Sequence, residues 1–157
     1  MRDINFVGCD ECDGCLGNGA RTKNDDLDDI FHSILDSTYV VVSFPVYFLG
    51  PPSLAKAFID RAQYLWVRRF ILKDLKYSEK SPVGSLLSCG GFPGANRIFN
   101  CNIAIIKAFY NACAVRYHGE LVFGGVDSSD DLLNIERLDE IIREFAEGFL
   151  ASSDIRK

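Results

Sequence analysis

The sequence predicts an α/β fold, a parallel sheet covered by helices, on three observations. Short, wholly apolar runs such as Tyr39 to Val42 lack the in–out alternation of a half-wet sheet and fit strands buried on both faces. Between them lie longer segments whose apolar residues recur at helical spacing. The two kinds of segment alternate along the chain, the order expected of strand–helix–strand units with right-handed crossovers.

Taken in order, residues 1–24 read as a loop carrying Cys9, Cys12 and Cys15 at even spacing. Asp25 and Asp26 precede a helix in which Leu27, Ile30, Phe31, Ile34 and Leu35 share a face. The acids suit the free N–H groups and positive end of the dipole there. Tyr39 to Ser43 is the first strand, stopping at Phe44-Pro45. A loop with Gly50, Pro51 and Pro52 leads to a helix opened by Ser53, with Leu54, Phe58, Ala62, Leu65 and Trp66 inward. The basic stretch from Arg68 to Lys80 reads as a surface connection. Val83 to Ser88 is the second strand, ending in Cys89-Gly90-Gly91-Phe92-Pro93-Gly94. A helix over roughly Ile98 to Val115 and a strand over Glu120 to Phe123 follow. Gly124 to Asp127 leaves that strand, and a last helix puts Ile135, Leu138, Ile141, Ile142, Phe145 and Phe149 on one face. No repeat or low-complexity tract interrupts this order. The expected organisation is one domain over 1–157, with the cysteine loop (1–24) attached to an α/β core (25–157).

A chain of 157 residues, 48% of them hydrophobic, is expected to bury a sizeable core. Seventeen basic against 22 acidic residues give a net charge of −5, which argues against nucleic-acid or anionic-membrane partners. The apolar runs are strand-sized and no secretory leader is legible. Six cysteines in such a chain point to free thiols, a metal or a cluster in a reducing, cytoplasmic setting.

In parallel sheets ligands bind beyond the carboxyl ends of the strands. Phe44 to Pro52, Cys89 to Arg97 and Gly124 to Ser129 fall there. Two of these are rich in Gly, Pro and aromatics, which suits a flat aromatic ligand approached closely by backbone. The competing reading is ordinary turns. Cys9, Cys12 and Cys15 share the spacing of the first three cysteines of a bacterial ferredoxin run, which adds a fourth cysteine and a proline. The alternative is a reduced, metal-free loop, and zinc lacks a neighbouring histidine. Cys89 is the distant candidate for a fourth ligand. Cys101 and Cys113 read as core, His32 and His118 as isolated, Asp60-Arg61 as a structural ion pair or helix surface, and Asp127, Asp130 and Asp131 as helix caps. There is no nucleophile–base arrangement, carboxylate pair or Walker loop.

Pro45-Val46-Tyr47-Phe48, followed by Leu54-Ala55-Lys56-Ala57-Phe58-Ile59-Asp60-Arg61, resembles the flavodoxin-like NAD(P)H-dependent FMN reductases, the iron–sulfur flavoprotein branch in particular. Cys9, Cys12 and Cys15, then Asp25-Asp26, match that branch's order of a compact cysteine cluster and an Asp-Asp helix start. Gly90-Gly91 matches its Gly-Gly turn. The resemblance covers nearly the whole chain. It implies a flavodoxin-like three-layer α/β/α sandwich with FMN at the sheet edge. The ring would lie on Pro45, Val46, Tyr47 and Phe48 and against Gly90, Gly91 and Phe92. It implies Cys9, Cys12 and Cys15 as ligands of a 4Fe–4S cluster, NAD(P)H or a protein as electron donor, a small-molecule or protein acceptor, and a homodimer or homotetramer. Three departures stand out. The family's first strands and its phosphate-binding loop are expected to be missing. Arg21 occupies the fourth cysteine slot. Phe44 replaces a small residue and is expected to crowd the flavin edge. The alternative is a flavin-free homologue acting as an interaction or scaffold subunit through an exposed sheet edge.

Overall fold

The computed structural model describes residues 3–78, 80–93 and 96–153. Glu79 of the expected surface connection and Gly94 of the expected glycine turn, with Ala95 beside it, lie outside the described residues. Three parallel strands, β1 (Tyr39–Ser43), β2 (Val83–Gly90) and β3 (Arg116–Gly124), form a sheet in the order β1-β2-β3. Parallel strands need crossovers, and helices supply them. α2 (Ser53–Asp60) and α3 (Gln63–Trp66) link β1 to β2, and α4 (Asn100–Ala112) links β2 to β3. α1 (Leu27–Asp36) precedes the sheet, and α5 (Ser129–Leu133) and α6 (Leu138–Ala151) follow it.

The period-two alternation of a strand divides the packing between two faces. Val40, Leu86 and Val115 join Phe31, Phe58, Leu65, Ile106, Phe109 and Tyr110 in the main core, so α1 to α4 cover one face. Its centre is aromatic: Phe31 stacks on Phe58 at 5.1 Å, Tyr64 meets Phe31 edge-on at 5.6 Å, and Phe109 lies 5.6 Å from Phe58. The opposite face carries α6, where Phe149 packs on Tyr39 of β1 and on His118 of β3. The result is the expected three-layer α/β/α arrangement. Val41 of β1 remains 51% exposed.

Several elements differ from expectation. The second helix breaks at Arg61-Ala62 and resumes as α3, then continues as a π-helical turn over Val67–Ile71. Arg68 and Arg69 are therefore helical, not part of a surface connection. Leu54 and Trp66 point outward, leaving Phe58, Ala62 and Leu65 inward. β3 begins four residues before the expected start at Glu120, because Arg116 and Tyr117 already pair with Val83 and Gly84. A bulge between Gly84 and Ser85 skips His118, a local irregularity of the kind that hides a strand start. The last helix is two helices, because Arg137 takes a left-handed φ of 60° and Ile135 falls outside α6.

Candidate functional site

The three bends at the strand tips meet. Beyond β1, Phe44 N donates to Leu87 O at 3.3 Å and Val46 N to Cys89 O at 2.8 Å. Across the sheet, Val126 N donates to Gly90 O at 3.1 Å and Gly125 N to Phe92 O at 3.2 Å. The backbone thus stitches the first bend to the second and the second to the third. In the buried interior behind them, Ser88 Oγ donates to Phe44 O at 2.7 Å. A cleft of about 320 Å³ opens over this seam, walled by Pro45, Val46 and Tyr47, by Cys89, Gly90 and Gly91, and by Val126, Asp127, Ser128, Ser129 and Leu132.

The glycines there answer to space. A Cβ on Gly90 would lie 2.9 Å from Ile98 Cδ1 and 3.3 Å from Val46 Cβ. One on Gly91 would overlap the Asp127 carboxylate. Gly125 holds a φ of 74°, a conformation that disfavours any side chain.

Of the expected ring-facing residues, Pro45, Val46, Tyr47, Gly90 and Gly91 line this cleft. Phe48 and Phe92 do not. Phe48 sits at the tip of a tight turn closed by two Tyr47–Gly50 hydrogen bonds of 2.9 and 3.0 Å, and is fully exposed. Both Phe48 and Leu49 adopt positive φ, 50° and 65°, so the turn swings their side chains outward. Phe92 is 70% exposed. Phe44 does not crowd the cleft, because its side chain is buried in the main core.

Asp127, expected as a cap, lines the cleft instead. The cap of α5 is Ser128 with Asp131: Asp131 Oδ2 accepts from Asp127 N, Ser128 N and Ser128 Oγ at 3.1, 2.8 and 2.9 Å. Those bonds hold the Asp131 carboxyl below its usual pKa. The Ser-x-x-Asp spacing at 128–131 could have signalled this division of labour.

Cys9, Cys12 and Cys15 line a second cavity of about 400 Å³, between their loop and the residues Lys56, Asp60, Arg61, Gln63 and Tyr64. Cys9 and Cys12 are exposed and Cys15 is partly covered; burial pushes the Cys15 thiol pKa up. The Cys12 thiol lies 3.4 Å from Thr22 Oγ1. Arg21, in the fourth cysteine slot, pairs with Asp28 at 2.5 Å and stacks over Tyr64 at 5.7 Å. Burial pushes the Tyr64 hydroxyl up to about 12. Both ends of the loop are held by Arg61. Arg61 is 8% exposed and donates to Val7 O at 2.7 Å and to the two Asp25 oxygens at 2.5 and 3.1 Å. Its partner is therefore Asp25, not Asp60, which pairs with Lys56 at 2.7 Å. Burial opposes ionisation of Asp25, but the Arg61 hydrogen bonds and charge outweigh it and hold that carboxyl below its usual pKa. Asp26 likewise reaches back to Asn5 N at 2.7 Å instead of capping α1.

A cubane cluster wants four thiolates. Among the described residues no three His, Cys, Asp or Glu side chains converge on a metal position. Cys89 lines the other cleft, so it does not complete the set. The thiols as placed do not fit a 4Fe–4S cluster. The strand-tip cleft has apolar walls in Pro45, Val46 and Leu132, and no basic side chain among the described residues lines it.

No family model matches the chain. An iron–sulfur flavoprotein of Methanosarcina thermophila is 31% identical over 83 residues, 53% of this chain and 40% of that protein. An iron–sulfur flavoprotein of Archaeoglobus fulgidus is 35% identical over 60 residues, 38% of this chain and 26% of that one. The chain thus matches less than half the length of either relative. Among solved structures, an NADH:FMN oxidoreductase in its apo form superposes with a TM-score of 0.55 at 15% identity, covering 88% of this chain and 64% of that one. The resemblance to iron–sulfur flavoproteins stands in the sequence, and the fold is a flavodoxin-like α/β sandwich. Among the described residues no helix is long and apolar enough to cross a membrane.

Proposed function

We propose that this chain binds the ring of a flavin, FMN in the first instance, in the strand-tip cleft and serves as a flavin-dependent electron-transfer oxidoreductase. The observation that carries the reading is the set of three bends stitched by backbone hydrogen bonds around one cleft at the carboxyl ends of parallel strands. The similarity to proteins named as flavoproteins supports it.

Bound flavin would supply the two-electron chemistry. The chain supplies the pocket. Pro45 and Val46 give a stiff apolar wall, Gly90 and Gly91 let Val46 and Asp127 close in on the seam, and Tyr47 stands at one side. A pre-stitched floor needs little reorganisation on binding, which favours affinity. The electron donor in this reading is NAD(P)H or a protein, the acceptor a small molecule or a protein, and the working form a homodimer or homotetramer. No step is assigned to a cluster on Cys9, Cys12 and Cys15.

The test is titration of purified protein with FMN, followed by flavin fluorescence and the visible spectrum. Saturable quenching of FMN fluorescence with a shift of its visible bands supports the proposal. A folded wild-type chain that leaves the flavin signal unchanged refutes it, and the interaction-subunit reading then takes its place. Iron and sulfide assays on protein purified without oxygen, repeated with Cys12→Ser, decide the cluster separately.

A further inference from the structure

The cleft carries one charged group that nothing in the fold uses. Ser128 and Asp131 cap α5, and Asp127 contributes only its backbone N–H to that box. Among the described residues the Asp127 carboxylate makes no hydrogen bond and no ion pair. It lies instead against the α-carbon of Gly91, filling the space a Cβ would take, on the wall of the cleft. Among the described residues no lysine or arginine lines the cleft. The neighbouring backbone donors of Val46, Gly125 and Val126 are spent on the seam between bends.

Such a wall repels an anion and favours a neutral ligand that brings a donor, because an ionised carboxylate only accepts hydrogen bonds. The oxidised flavin ring has one N–H donor, the imide N3–H between two carbonyls; its other ring heteroatoms only accept. We infer that Asp127 is the specificity group of the cleft: its carboxylate accepts the imide N3–H, and the cleft recognises the ring without help from a phosphate. Asp127 would thus touch the ligand itself, and Gly91 is glycine so that the carboxylate can reach this position. The inference rests on the flavin reading above and deepens it.

The experiment compares dissociation constants for riboflavin, FMN and N3-methylriboflavin, measured by fluorescence on the full chain, for wild type, Asp127→Asn, Asp127→Ala and Gly91→Ala. Hydrogen bonds to a charged group predict that N3-methylation weakens wild-type binding by about tenfold or more. Riboflavin and FMN should bind within a few-fold of each other. Asp127→Ala should bind riboflavin and its N3-methyl derivative alike. Gly91→Ala, which displaces the carboxylate without removing it, should lose the same discrimination. Asp127 is on the surface, so these variants are expected to fold, and circular dichroism checks it. Wild type that binds riboflavin and N3-methylriboflavin equally, or Asp127→Ala that still discriminates, overturns this inference and leaves the flavin reading standing. A wild type that binds none of the three overturns both.

Discussion

Replacing Arg61 with Met should be among the most damaging single changes outside the aromatic core. The guanidinium and the Asp25 carboxylate are 7% and 10% exposed, so solvent screens them little. Arg61 makes two charge-assisted bonds to Asp25 and one bond to the Val7 carbonyl. Removing the cation strands a buried anion, a change that costs about 3–5 kcal/mol in comparable buried pairs. For a chain of this size that is a fall in Tm of roughly 6–20 °C. The sign of the pH dependence follows from the lowered pKa of Asp25. The pair's contribution is present above the ordinary carboxylate pKa, about 4, and is lost as pH falls through the lowered folded-state value. In the variant, Asp25 has no partner and gains by protonating, so the gap from wild type should narrow below about pH 4. The assay is urea unfolding of wild type and variant across that range, with Asp25→Leu/Arg61→Met as the closing corner of a double-mutant cycle. That double variant should regain most of the loss, since no buried charge remains. A loss under about 1 kcal/mol at neutral pH, of the size of an exposed pair, or a loss unchanged in acid, would refute the reasoning.

Gly84→Ala should destabilise by about 1–3 kcal/mol through overpacking, because the new Cβ would stand 2.7 Å from Tyr110 Cζ and from Val115 Cγ1; denaturant midpoints measure it. Tyr110→Phe should cost about 1 kcal/mol, since the buried hydroxyl donates to Ser85 O at 2.8 Å and contacts Val40 O at 3.2 Å, and the same unfolding assay reads it. Under native conditions a thiol reagent should modify Cys9, Cys12 and Cys101 and spare Cys113, whose thiol is buried and pushed up in pKa by that burial; mapping the labelled peptides decides this.

The strands were legible as unbroken apolar runs, but the expected burial on both faces holds for β2 and not for β1, where Val41 and Ser43 are exposed. The helices were legible by spacing. Their interruptions were not: the break at Arg61-Ala62 follows from Arg61 turning inward to Asp25, a tertiary contact with no local signature. The early start of β3 was hidden for a similar reason. Arg116 and Tyr117 break the apolar pattern, and only pairing with Val83 and Gly84 reveals them as strand. At the cleft, proline and glycine marked bends that the structure brings together, because those residues act locally. Phe48 and Phe92 lie outside the cleft lining, since aromatic character says nothing about the direction a turn aims a side chain. The placement of Asp127 stayed hidden because it depends on the space above Gly91, which is set by two different bends.

The two cavities are joined by α2. Its eight residues advance about 12 Å, running from the bend that walls the ring cleft to the Asp60-Arg61 corner that borders the cysteines. Phe58 anchors this strut in the aromatic stack and the buried Arg61 fastens its far end, so neither can slide independently of the other. The cysteine loop and the strand tips are thus spaced by the length of one helix, and any change that shortens or kinks α2 alters the distance between the two cavities.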